Sequence, residues 1–448
     1  MTMGSIEYRL NVADFPLKVQ GDLASWRQLV DPLILLATVF LFSLSNYALD
    51  FLGIPYDSSS GSIVTKIHPA TYTFGLALVL AVLANRNPVG YAVSLLVRCA
   101  GSTSLLAASL LLWYFISRYK PDQSASFLID ALMVAAVITM LFCDSGEKLR
   151  LYTARCLHML MVLNCLIAIT EGLTSWRLFP FLIEDRVQTW DHRATALLGH
   201  PLGGALVTGV YAVILMTVKD VRGLSPRWRL PIILLCMATM PLLGARTSFA
   251  VVYGVAAVMG LIFILKLMRG GAISVRALLA ILVLAPLGVV AVAALYQFGY
   301  FDNFLARFTN DSGSAATRIQ LFRLFDNFGL RELLIGFNQD ELETSVRING
   351  LSEGIENAWA GHLLRYGLVF SSVLWLGILS WFIEMLRVGG RGAILPLFFA
   401  LLINSTSVGI SAKTTMLTMP AVLILALVAR TRAIPGRAIP GRAIPGKV

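Results

Sequence analysis

The sequence predicts an all-α, polytopic integral membrane protein of about twelve transmembrane helices, with one long far-side loop that contains an amphipathic helix. Three observations predict it. Of the 448 residues, 57% are hydrophobic and 14% charged, whereas soluble domains carry about 25% charged residues. Mean hydropathy is +0.76. Uncharged apolar runs such as PLILLATVFLFSLSNYAL (32–49) and FAVVYGVAAVMGLIFIL (249–265) recur along the chain, each near the roughly 20 residues a helix needs to cross a bilayer. The net charge of +11 is therefore a matter of membrane orientation and gives no reason to expect nucleic acid as a partner.

Residues 1–30 are polar and mixed in charge, and the first apolar run is long enough to span, so no cleavable signal peptide is expected. Nine candidate spans, centred near residues 40, 78, 110, 135, 163, 210, 236, 257 and 286, make a bundle over 31–299. Three more, near 376, 402 and 421, fill 357–429, and the middle one of these is short. With the N-terminus cytoplasmic, 22 of the 36 Lys and Arg fall in cytoplasmic segments and 14 on the other side. Six of those 14 lie in or beside one long loop, where the positive-inside rule has little force. The expected topology is N-in, C-in. None of the five cysteines forms a Cys-x-x-Cys pair, which predicts packing residues rather than a metal site or a disulfide framework.

The long loop, 300–356, is too long to be a plain connector. Its segment TRIQLFRLFDNFGLRELLIG carries Leu321, Leu324, Phe325 and Phe328 at i, i+3, i+4, i+7, an amphipathic helix lying on the membrane or on the bundle and ended by Gly329. The loop is expected to form a cap. The tail, 430–448, holds three copies of Arg-Ala-Ile-Pro-Gly; Pro and Gly at this spacing forbid a regular helix, leaving a basic extension, with or without a role at anionic lipid.

Polar residues stand out at three far-side span mouths. Arg193 opens RATALLGHPLGGALV, which also holds His200; Arg246 lies in GARTSFAVV; Glu356 and Asn357 lie in IENAWAGHLLRYGLVF. A guanidinium is a planar fork that matches phosphate oxygens and stays charged. Two of them at a membrane boundary would hold a lipid-linked pyrophosphate and stabilise it as a leaving group, without a metal or cofactor. Glu356 would accept the proton of an attacking hydroxyl. Plainer readings exist for each residue: snorkelling for the arginines, a backbone-bonded helix start for His200, and a dipole-favoured acid for Glu356.

In combination these elements resemble the O-antigen ligase and O-antigen polymerase superfamily of bacterial envelope glycosyltransferases, over about residues 190–370. RATALLGHP matches the family's Arg-x-x-Gly-x-x-Gly-[His/Asn]-Pro pattern, with Ala196 where the pattern has glycine. GARTS matches its Ala-Arg-Thr element; ARFTNDSGSAATRIQLF and LLIGFNQ resemble its long loop; Asn357 and Gly367 meet its Asn-x9-Gly element. In the ligases a His-Asn pair opens that last element, and here the pair is Glu356-Asn357, with His362 on a different helix face. This departure favours the polymerase branch.

The resemblance implies a multi-pass protein of the bacterial inner membrane with its active face and long loop periplasmic. Arg193 and Arg246 would grip the pyrophosphate of an undecaprenyl-pyrophosphate-linked glycan. Glu356 would activate the acceptor, a second lipid-linked repeat unit, supported by Asn357, Arg318 and, less directly, His200. A flippase and a chain-length regulator would be its partners. The alternatives are an O-antigen ligase that uses lipid A–core as acceptor, and a transporter of an anionic or amphipathic solute in which Asp130 marks an ion path.

Overall fold

The structure is a computed structural model that describes residues 20–57, 62–174, 176–179, 182–183, 186–187, 193–272, 275–309, 320–327, 329–351, 355, 357–407 and 409–429. The N-terminal segment up to residue 19, Arg318, Phe328, Glu356 and the repeat tail lie outside these.

The described chain is helical, apart from a hairpin of two-residue strands, Leu182–Ile183 and Arg186–Val187. In order the helices are α1 (Gln20–Ser43), α2 (Asn46–Phe51), α3 (Pro69–Leu83), α4 (Pro88–Arg98), α5 (Ala100–Tyr119), α6 (Val134–Cys143, entered through a π-turn at Leu128–Met133), α7 (Glu147–Thr174), α8 (Pro201–Thr217) and α9 (Pro226–Leu243). There follow α10 (Arg246–Met268), α11 (Val275–Gln297), α12 (Asp302–Thr309), α13 (Leu330–Ile335), α14 (Gln339–Ile348), α15 (Ala358–Gly389), α16 (Ile394–Ser405) and α17 (Thr418–Leu427). Among the described residues five helical stretches are long and apolar enough to cross a membrane: Trp26–Ser43, α5, α7, α10 and the run from α15 into α16. Helices also stand at the other candidate places, among them α11, 23 residues long, and α17, only ten residues long.

Burial explains that short helix. Every residue of α17 is buried, packed among α6, α7 and α8. A helix apolar all round must be enclosed, and one enclosed by protein need not reach both membrane faces. α10 and α11 are the opposite case. They too are apolar, yet Leu261, Ile262, Leu282 and Val289 are each more than half exposed, as suits a lipid-facing surface. Cys99, Cys165 and Cys236 are buried, with the last two sulfurs 3.9 Å apart across α7 and α9.

Polar contacts gather at two ends of the bundle. At one, Arg150 donates to the carbonyls of Leu425 and Ala429, and Arg222 donates to Ala429 O at 2.8 Å and to Glu147 at 2.6 Å. Cations on the last carbonyls of α17 suit the negative end of the helix dipole. At the other end sits Asp130, fully buried. Its carboxylate accepts from Tyr56 Oη at 2.7 Å, Thr71 Oγ1 at 2.6 Å and His68 N–H at 3.2 Å. An acid committed to three donors pins the loop between α2 and α3 and is poorly suited to an ion path.

The long loop departs from the single amphipathic helix expected of it. Helix from Gln320 tightens to a 3-10 turn at Leu324–Asn327. Gly329 does not end that helix by a left-handed turn; it is the N-cap of α13, with φ −80°. Leu321 and Leu324 face inward as their spacing predicts, but into a small core with Phe337, Leu342, Leu351 and Leu364.

Candidate functional site

The path of residues 193–200 is set by α7. Glu171, near the end of α7, has a fully buried side chain. Its Oε1 accepts the Leu178 N–H at 2.9 Å, and its Oε2 accepts the N–H groups of Thr195 at 2.8 Å and Ala196 at 2.9 Å. Bonds to an ionised acceptor are stronger than neutral ones, so this carboxylate fixes the backbone beside Arg193. The Arg177 guanidinium lies 3.8 Å from Glu171 and donates to the Arg193 carbonyl. One turn pair back on α7, Asn164 Oδ1 accepts from Leu198 N–H at 3.2 Å. Gly199 then turns at φ 79°, where a Cβ would collide with Ser45. His200 is the N-cap of α8, its Nδ1 accepting the Leu202 N–H at 3.2 Å; this is the plain helix-start role.

Arg246 is the first residue of α10, and α9 closes just before it through left-handed Gly244, φ 67°. Ala194 N–H donates to Leu242 O at 2.9 Å. That bond ties the Arg193 loop to the end of α9, so both arginines, each half-buried, start from one place.

Asn357 is spent on capping. Its Oδ1 accepts the N–H groups of Trp359 at 3.0 Å and Ala360 at 3.1 Å. His362 is buried; its Nε2 lies 3.2 Å from Ile410 O and its Nδ1 accepts from Trp375 Nε1 at 3.3 Å. With both nitrogens bonded inside the protein it does not replace a ligase-type histidine. Gly367 breaks α15 at φ 67°, and a Cβ there would meet the backbone of Leu334 and Ile335. Gly336, φ 75°, lies in the same way against Arg365 and Tyr366. The LLIGFNQ and Asn-x9-Gly elements are thus docked on each other, with Phe337 N–H donating to Leu364 O at 2.8 Å.

Lys120 locks this contact, its Nζ donating to Phe337 O and Arg365 O, both at 2.7 Å. Burial first, then the Arg331 guanidinium, push the Lys120 ammonium from its ordinary 10.5 down to about 8. The loop between α16 and α17 completes the assembly. Met416 Cε comes within 3.2 Å of where a Gly203 Cβ would stand, and Arg365 donates to Ser411 O at 3.4 Å. The start of α8 and the start of α15 therefore share a neighbour. Glu171, Lys120 and this loop escaped the sequence reading. Glu171 had a signal, as an acid inside an apolar helical run.

Beside Arg246 an apolar groove of about 1120 Å³ runs between α10 and α11, lined by Phe249, Val289, Val292, Tyr296, Phe301 and Phe304. Phe249 lies one helical turn below Arg246, its ring 4.5 Å from that of Phe304. Comparison with models of known protein families, with curated proteins and with solved structures gave no match.

Proposed function

We propose that this chain is a membrane glycosyltransferase that polymerises lipid-linked glycan repeat units. The observation that supports it most is the tether between Ala194 and Leu242, which starts Arg193 and Arg246 from one place at the mouth of an apolar groove. A substrate with a charged diphosphate and a long hydrocarbon tail matches both parts. The Lys and Arg distribution supports N-in, C-in orientation in a bacterial inner membrane, with this end periplasmic.

In the reaction an acceptor sugar hydroxyl attacks the anomeric carbon of the donor glycan. A new C–O bond forms as the bond to the diphosphate breaks, and the hydroxyl proton passes to Glu356. The electron pair leaves on undecaprenyl pyrophosphate, whose charge Arg193 and Arg246 stabilise. The acceptor is a second lipid-linked repeat unit, and a flippase and chain-length regulator act alongside. The multiply bonded Asp130 weighs against the transporter alternative.

The test is a gel profile of cell-surface glycans in cells lacking the protein or carrying Arg193→Ala, Arg246→Ala or Glu356→Ala. Loss of long chains, with single repeat units still reaching the surface, is expected. Loss of every repeat on lipid A–core, with polymer held on the lipid carrier, would instead identify a ligase. Unchanged glycans with the variants present in the membrane would sink both readings.

A further inference from the structure

Four of the five cysteines, far apart in the sequence, meet in pairs. Cys143 packs on Cys99 near the start of α5. Cys165 on α7 meets Cys236 on α9, their sulfurs 3.9 Å apart. The second pair is sealed inside the bundle, both residues being 0% exposed.

Ligand number and softness narrow the ions that this pair can hold. A structural zinc ion takes four ligands, and among the described residues no three His, Cys, Asp or Glu side chains come together. Soft monovalent ions, Cu(I) and Ag(I), accept two or three ligands and favour thiolate and thioether sulfur. A thioether stands within reach. Met240, also 0% exposed, follows Cys236 by one turn on the same face of α9. Helical side chains lean toward the N-terminus, which turns Met240 toward Cys236. Met161 precedes Cys165 on α7 by one turn, and the same lean turns it away. Metal–sulfur bonds of about 2.3 Å span the gap between the two cysteines with the ion set off the line joining them. Its open side is then free for a third sulfur.

Charge also fits a monovalent ion. One S–H bond breaks as one metal–thiolate bond forms, and that proton is released to solvent. The second cysteine binds through a lone pair as a thiol, and Met240 binds as a neutral thioether. Cation and thiolate cancel, as a site buried in apolar surroundings requires.

The pair stands at a controlling height. Cys165 lies six residues before Glu171 and Cys236 six before Leu242, about 9 Å along each helix. Glu171 and Leu242 are the residues that hold the backbone of 194–196. An ion between the two sulfurs therefore clamps α7 to α9 directly beneath that loop.

We infer that Cys165, Cys236 and Met240 form a binding site for one soft monovalent cation, Cu(I) or Ag(I). The inference stands apart from the reaction proposed above and needs none of its residues.

The experiment titrates Ag(I), which is inert to oxidation and reduction here, into the purified full chain in detergent micelles. Cys99, Cys143 and Cys156 are first replaced by Ala, so that this pair holds the only thiols. Bound silver, released protons and Tm are measured. One silver ion should bind, with one proton released and a higher Tm. Cys165→Ala and Cys236→Ala should each weaken binding by more than about 100-fold, and Met240→Leu by about tenfold. Met161→Leu, equally conservative in volume, should bind as the parent does, and equimolar Zn(II) should not displace silver. Absence of binding in the parent chain, which retains both cysteines, would overturn the inference and leave the pair as packing. Undiminished binding in Cys165→Ala or Cys236→Ala would overturn it too, as would displacement by Zn(II). Equal losses in Met161→Leu and Met240→Leu would overturn the three-sulfur site.

Discussion

Ala196 adopts φ 48°, a left-handed conformation that costs a residue with a Cβ about 1 kcal/mol. It is held there because Glu171 takes its N–H and that of Thr195 together. This is the position where the resembled pattern has glycine, so the departure seen in the sequence has a backbone meaning that the sequence could not display. Ala196→Gly should stabilise the protein by about 0.5–1 kcal/mol, a rise of about 1 °C in Tm in micelles; a fall would show that the Ala196 methyl, which is buried, contributes more by packing than the backbone costs. Arg193, Arg246 and His200 were legible because charge or an imidazole at the edge of an apolar run stands out in any one-dimensional reading. Glu171 was harder to see. Its partners lie 7 to 25 residues away, and only the return of the chain after the hairpin brings Thr195 and Ala196 to it.

Among the elements, the contact of α13 with α15 had its parts visible and its purpose hidden. Gly336 and Gly367 read as two separate motif glycines, yet each is bare because the other's strand of backbone presses on it. α14 carries a start signal, with Glu341 Oε2 accepting the Asn338 N–H at 3.2 Å, but its helical pattern is too short and polar to be seen against the apolar spans. Lys120 gives this docking a pH dependence. The unfolded lysine keeps its proton to about 10.4, whereas the docked one loses it near 8. Between those values the docked state binds fewer protons, so docking gains stability as pH rises through that window, and below it carries the full desolvation cost. Protection of residues 329–351 from protease should therefore rise with pH from about 8 towards about 10.4, and Lys120→Met should flatten the profile. A profile in the unaltered protein that is flat or falling would show that Lys120 does not control the docking.

At the scale of the whole molecule, composition alone announced the solvent, and the apolar runs located the helices. What they could not reveal was which helices face lipid, because α17 and α10 are both apolar while one is buried along its full length and the other is largely bare. The distinction depends on neighbours distant in sequence. It matters most where α10 and α11 stand apart, since the walls of that groove, Val289 and Val292, are themselves more than half exposed. If the chain is the glycosyltransferase proposed above, a site open along its flank is supplied sideways, from a two-dimensional film. Turnover on that proposal should follow the mole fraction of donor in the amphiphile phase and be indifferent to the volume of water around it. At fixed amounts of protein and lipid-linked donor, added detergent should then slow the proposed transfer by surface dilution, while added buffer should leave the rate per molecule unchanged.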